Sequence, residues 1–119
     1  MTPVPAEPGF ANRTFRYELP NGWAFLMIFA ADGERLRMEG IAGPFAGQAL
    51  DLRITAARVA PGVWFLNWIK PDGDVVSQVH DYPAGKVYAF WAAEEDGVRT
   101  PRTTTGKLVE VEPERLARD

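Results

Sequence analysis

The chain has 119 residues, a formal net charge of -3, 46% hydrophobic residues and 24% charged residues. This length suits one domain with a substantial core and is too short for two. The acidic balance and the lack of a basic cluster argue against a nucleic-acid partner, and no apolar run is long enough to span a bilayer. Cysteine is absent, which excludes disulfides and thiol chemistry and fits a reducing, cytoplasmic location.

The N-terminus is predicted to be a flexible lead over residues 1–12. Its first ten residues, "MTPVPAEPGF", contain three prolines and an acid but neither a basic segment nor an apolar segment of a signal peptide. The single folded domain is expected to occupy residues 13–119.

The rest of the chain consists of short β-type runs separated by turn residues. Eight strands are predicted, at residues 13–19, 23–30, 34–40, 48–60, 63–70, 75–81, 86–94 and 98–112. Turn signals every 8 to 12 residues are typical of an all-β barrel or sandwich, and closure into a barrel removes exposed edges. Only residues 113–119, with a proline at the first position, have a helical pattern. The sequence therefore predicts an all-β, eight-stranded antiparallel lipocalin-like barrel with a short C-terminal helix.

Turn chemistry predicts the register of the central strands. A three-residue loop over Pro71-Asp72-Gly73, with the glycine in the left-handed conformation, pairs Lys70 with Asp74. This turn and the next one, "YPAG", predict the cross-strand pairs Trp68–Val76, Leu66–Gln78, Trp64–His80, Asp81–Lys86, His80–Val87 and Val76–Trp91. Since successive strand residues point to opposite faces, the adjacent His80 and Asp81 cannot form a catalytic dyad.

One face of these strands is a candidate for the barrel interior. It has three of the four tryptophans, together with Lys70, Gln78 and His80. The opposite face has an apolar patch of Phe65, Val79 and Tyr88, which we interpret as a homodimer interface.

Several segments resemble known families. The segments "FRYELPNGWAF", "GIAGPFAGQAL" and "GVWFLNWIKPDGDVVS" are similar to the phenolic acid decarboxylases, which are lipocalin-like barrels that act without a cofactor. The segment "VSQVHDYPAGKVYAFW" resembles the MoaF-like proteins, relatives of the same calycin-type barrel. The resemblance implies the barrel fold and a cofactor-free interior site.

The resemblance does not extend to the decarboxylase reaction. Gln48 stands where that family has a substrate-binding arginine, and Lys70 stands where it has a proton-transferring glutamate. Phe15 and Phe25 replace two tyrosines that bind the substrate carboxylate, and only Tyr17 is retained. A mechanism that needs a carboxylate and an arginine is therefore not expected.

Two interpretations of the interior remain open from the sequence. The aromatic residues either fill the barrel as core or surround a flat apolar ligand. Likewise, Lys70 is either a solvated cation at the rim or a ligand contact, and His80 is either a satisfied core histidine or a ligand contact. One histidine without cysteine predicts no metal site.

We predict that a small apolar or aromatic molecule binds in the interior. The protein is then either a cofactor-free lyase, isomerase or cyclase acting on that molecule, or a non-catalytic MoaF-like carrier or accessory protein. The candidate catalytic residues are Tyr17, Lys70 and His80. The candidate ligand-binding residues are Phe15, Trp23, Phe25, Met38, Phe45, Gln48, Trp64, Trp68, Val76, Gln78 and Trp91.

Overall fold

The computed structural model describes residues 9–112 as a single curled antiparallel sheet. Its strands are β1 (Thr14–Glu18), β2 (Ala24–Phe29), β3 (Arg35–Ala42), β4 (Ala49–Arg53), β5 (Thr55–Ala60), β6 (Val63–Ile69), β7 (Val75–Asp81), β8 (Lys86–Glu95) and β9 (Val98–Val111). Their order across the sheet is β4-β3-β2-β1-β9-β8-β7-β6-β5. Residues 9–112 contain no helix, and so none that is long and apolar enough to cross a membrane. The all-β prediction is confirmed, whereas the helix predicted at 113–119 lies outside the described residues.

The described strands number nine rather than eight, because residues 48–60 form two strands. The division is at Ile54, where the chain changes its partner: β4 pairs with β3, and β5 pairs with β6. The backbone N–H of Ile54 donates a hydrogen bond to the carbonyl of Glu34 at 2.9 Å. Since β4 and β5 are the two ends of the sheet order and are continuous in the chain, the sheet curls on itself as a β-barrel.

The predicted register of the central strands is confirmed. The N–H of Gly73 donates to the carbonyl of Lys70, and the N–H of Lys70 donates to the carbonyl of Asp74, both at 2.8 Å. Gly73 has the expected positive φ of 91°. Every cross-strand pair predicted above, from Trp68–Val76 to Val76–Trp91, is observed.

The two faces of this sheet differ in burial, as the register requires. On the inner face Leu66 and Val87 are fully buried. On the outer face Phe65 and Tyr88 are 39% and 45% exposed, and Val79 between them is half-buried. The apolar outer patch therefore exists, and its use as a dimer interface stays a prediction.

One end of the interior is filled by aromatic rings. Phe10, which falls in the predicted N-terminal lead, is fully buried there. Its ring centroid lies 4.7 Å from that of Phe29, 5.4 Å from that of Trp64 and 6.3 Å from that of Tyr82. The N–H of Asn12 also donates to the carbonyl of Ala30, so this part of the lead is attached to β2. Any ligand space must lie at the opposite end.

Candidate functional site: an aromatic cavity at one end of the barrel

A cavity of about 650 Å³ opens at the end of the barrel opposite Phe10. Eleven of the predicted site residues line it: Tyr17, Trp23, Phe25, Met38, Phe45, Gln48, Trp68, Lys70, Val76, Gln78 and Trp91. They come from six strands and three loops, so it is the curling of the sheet that brings them together. Pockets of this size bind small organic molecules and cofactors in many proteins.

The lip of the cavity is a loop that packs tightly on β3. The N–H of Gly40 donates to the carbonyl of Gln48 at 2.8 Å, and the N–H of Gly47 donates to the carbonyl of Gly40 at 3.0 Å. A Cβ on Gly40 would collide with the backbone of Phe45, so only glycine permits this approach. The close packing holds Phe45 and Gln48 at the opening.

Aromatic rings form much of the wall near this lip. Phe45 meets Trp23 edge-on with centroids 5.8 Å apart, and it lies 6.1 Å from Phe25. Tyr17 is 6.2 Å from Phe25 on the neighbouring strand. Such contacts supply a flat apolar surface suited to an aromatic or apolar molecule.

Tyr17 supplies a hydroxyl group to this wall. The residue is only 3% exposed, and burial raises the pKa of its phenol to about 12. The hydroxyl makes no hydrogen bond to another described residue, and its oxygen is not fully enclosed by protein atoms. The phenol is therefore neutral at pH 7 and reachable from the cavity. Gly106 leaves room for its ring, because a Cβ there would collide with the ring and lie 2.6 Å from the Glu18 carbonyl oxygen.

Lys70 lies at the rim with a carboxylate beside it. Its Nζ is 3.7 Å from Asp72 Oδ2, and its side chain is 30% exposed. Asp74, also at the rim, forms an ion pair with Arg99. The N–H of Asp74 donates to Asp72 Oδ1, and this bond lowers the pKa of Asp72, with a smaller contribution from Lys70. The rim thus combines a lysine with two acids that sequence reasoning did not include, although both belong to the "KPDGD" turn.

His80 does not line the cavity, and it lies on the filled side of the interior. It is fully buried, with Nε2 at 2.7 Å from Gln78 Oε1 and Nδ1 at 3.0 Å from the Tyr82 hydroxyl. Burial lowers the pKa of its imidazole to about 3, so the ring is neutral at pH 7. In the described residues His80 therefore has the features of a satisfied core histidine.

Two other predicted contacts also lie away from the cavity. Phe15 is 3% exposed and packs on Tyr82 with a centroid distance of 4.9 Å. Trp64 contacts Phe10 at the filled end. Alternation assigned Trp64 and His80 to the inner face correctly, and Phe15 was a candidate because of the decarboxylase resemblance, but neither argument distinguished the two ends of the barrel. Conversely, the cavity lining includes residues that were not predicted: Leu19, Gly40, Ala49, Leu50, Pro71, Asp72, Asp74, Ala89 and Ala93.

A second hollow, of about 460 Å³, lies on the outer surface of β2, β3 and β4. Its arginines are paired with acids: Arg37 donates to Asp51 at 3.0 Å, and Arg35 contacts Asp32 at 3.0 Å. Arg53 lies 3.9 Å from Glu34. Because this surface is exposed and each of its arginines has an acidic neighbour, it is a weaker candidate for a ligand site than the cavity inside the barrel. Among residues 9–112, no three histidine or acidic side chains come together as metal ligands.

Comparison with known proteins identifies the family. No curated protein sequence matches the chain. A crystal structure "of a putative beta-lactamase from Burkholderia vietnamiensis" is similar, with 26% identity, a TM-score of 0.81, and coverage of 90% of this chain and 100% of that chain. The model of the MoaF-like family matches residues 11–106, which is most of the chain. The chain therefore belongs to the MoaF-like family.

Proposed function

We propose that this protein binds a small, largely apolar or aromatic molecule in the cavity at the open end of the barrel. The main support is the cavity itself, which has a volume of about 650 Å³ and a lining of aromatic and aliphatic side chains with few polar groups. Ligand pockets in general share this combination of size, apolar walls and a few oriented polar groups.

The polar groups around the cavity favour a ligand with hydrogen-bond acceptors. The Trp68 indole N–H, like the Tyr17 hydroxyl, has no partner among the described residues and is not fully enclosed. Lys70 adds a positive charge at the rim, shared with Asp72. An indole N–H can only donate, and a lysine ammonium can only donate, so an oxygen acceptor on the ligand would complement them.

A second candidate function is cofactor-free catalysis on the bound molecule. The observation that favours it is the unpartnered Tyr17 hydroxyl, which remains protonated at pH 7 because its pKa is about 12. Tyr17 would donate a proton to the ligand, and Lys70 would stabilise negative charge near the rim. With these roles the protein would be a lyase, an isomerase or a cyclase. The alternative is a non-catalytic carrier or accessory protein.

The name of the similar crystal structure suggests β-lactam hydrolysis, but residues of this chain do not support that reaction. Ser77 is the only serine in the sequence. It lies on the outer face of β7, where its hydroxyl donates to Asn67 Oδ1 at 2.6 Å. A serine mechanism needs a nucleophile next to a base in a substrate pocket, and Ser77 is on the wrong face of the sheet.

Tryptophan fluorescence tests the binding proposal directly, because Trp23, Trp68 and Trp91 line the cavity. Titration with hydroxycinnamates and with unsubstituted aromatic compounds should quench the emission saturably. Ala93→Leu would place extra carbons in the cavity and should weaken binding about tenfold or more. Ala92→Leu, on the opposite face of the same strand, is the matched control and should bind as the original protein does.

Further variants separate binding from catalysis. Tyr17→Phe and Lys70→Ala should lower the affinity for carboxylate-bearing ligands a few-fold and leave the affinity for hydrocarbons unchanged. Turnover of a bound compound that disappears in Tyr17→Phe would establish the enzyme. Saturable binding without turnover would establish the carrier. If no compound quenches the fluorescence, or if Ala93→Leu and Ala92→Leu bind equally, the cavity is not a ligand site.

A further inference from the structure

Three hydrogen-bonded side chains, the buried Gln78 and His80 and the half-buried Tyr82, connect the filled end of the barrel to the cavity. The connection runs from the Tyr82 hydroxyl to His80 Nδ1, and from His80 Nε2 to Gln78 Oε1, with distances of 3.0 and 2.7 Å. Gln78 lines the cavity, whereas His80 does not. The imidazole therefore lies behind a residue of the cavity wall.

The direction of the hydrogen bonds follows from the donors and acceptors. A carbonyl oxygen only accepts, so His80 Nε2 must carry the proton that it shares with Gln78 Oε1. The neutral ring then has an unprotonated Nδ1, which accepts the hydrogen of the Tyr82 hydroxyl.

The reverse arrangement is less favourable. If the Gln78 amide group donated to Nε2, the imidazole proton would be on Nδ1 and would point to the Tyr82 oxygen. The hydroxyl hydrogen of Tyr82 would then have no acceptor among residues 9–112. The Tyr82 side chain is half-buried and packs against Phe10, Phe15 and His80, where a donor left without an acceptor is costly.

The fixed direction decides which end of the Gln78 amide faces the cavity. Because Gln78 Oε1 accepts a hydrogen bond from His80, the NH2 group of the Gln78 amide is left to face the cavity. It makes no hydrogen bond to another described residue, and it is not a fully enclosed unpartnered atom. The cross-strand neighbour Ala89 is small, which leaves space beside this group.

We propose that His80, fixed by Tyr82, is a positioning residue that presents the NH2 group of Gln78 to the cavity, so that the site selects ligands with a carbonyl or carboxylate oxygen at their inner end. This inference rests on the proposed ligand-binding function. It assigns a role to the only histidine of the chain, which touches no ligand itself.

The first test is the tautomer of His80, measured by nitrogen-15 NMR of the ligand-free protein. Because His80 is the only histidine, its imidazole signals need no further assignment. We expect the Nε2-protonated neutral tautomer. The Nδ1-protonated tautomer would turn the Gln78 carbonyl to the cavity and would overturn the proposal.

The second test compares two ligands of nearly equal shape, acetophenone and α-methylstyrene. Acetophenone has a carbonyl oxygen where α-methylstyrene has a CH2 group. The preference for acetophenone should fall about tenfold in Gln78→Met, which retains the side-chain length but has no N–H donor. It should also fall in His80→Phe, where the amide is free to turn, while the affinity for α-methylstyrene stays the same.

An unchanged preference for acetophenone in Gln78→Met would overturn the selectivity, even if His80→Phe does not fold. If neither these two compounds nor any compound of the fluorescence panel binds and the tautomer is the expected one, the proposed function fails, and with it the selectivity. In that case the three side chains form only a structural hydrogen-bond chain.

Discussion

The buried imidazole makes the stability of the fold depend on pH in a way that one substitution can isolate. In the folded protein the pKa of His80 is lowered to about 3 by burial, whereas an unfolded chain has the ordinary value of 6.5. Between these values the unfolded state binds a proton that the folded state does not. The free energy of unfolding therefore falls as the pH falls from above 6.5 toward 3.

The size of the effect follows from the two pKa values. At pH 7.5 both states are almost fully neutral, so the imidazole contributes almost nothing to the pH dependence. A pH of 4.5 is about two units below the pKa of the histidine in the unfolded chain, so the unfolded state binds a proton there. The imidazole of the folded protein is still neutral at this pH. Since each unit corresponds to about 1.4 kcal/mol, the loss of stability is roughly 3 kcal/mol.

Urea unfolding at pH 7.5 and pH 4.5 measures this loss, with His80→Phe as the control. The phenylalanine retains a ring against Phe29 and Tyr82 but has no titratable group. Its lost hydrogen bonds lower stability by a similar amount at both pH values, and the titration of surface acids is common to both proteins. The stability advantage of the original protein over His80→Phe should therefore fall by roughly 3 kcal/mol on going from pH 7.5 to pH 4.5. Equal pH dependence in the two proteins would refute the inferred burial and neutrality of His80.

Three further predictions follow from the packing and turns. Gly106→Ala should displace the Tyr17 ring, and it should lower both stability and ligand affinity, as seen by urea midpoint and fluorescence titration. Gly73→Ala should lower the free energy of unfolding by roughly 1 kcal/mol, because φ there is positive, whereas Gly9→Ala should have little effect. Light scattering should show a dimer that Tyr88→Glu dissociates, and a monomer in the unsubstituted protein would disprove the outer-face interface.

The local features of the fold could be predicted from the sequence because short-range chemistry determines them. Gly73 in the "KPDGD" loop and the "YPAG" turn set the register of β6, β7 and β8, and the two-residue period then assigned each side chain to a face. His80 could be separated from Asp81 for the same reason. The change of partner at Ile54 could not be predicted, because residues 48–60 contain no glycine or proline that would mark the end of a strand.

The distinction between core and cavity depended on the tertiary structure. Val76 and His80 lie on the same face of β7 with the same alternation, yet one lines the cavity and the other is enclosed. The cause is Phe10, which comes from outside the predicted strands and fills one end of the barrel. Sequence periodicity reports which face a residue is on, whereas the depth along the barrel is set by contacts between segments that are distant in the chain. The sequence thus determined most of the strands, the register of the central ones and the inner face, and only the curled tertiary structure decided where that face leaves a space for a ligand.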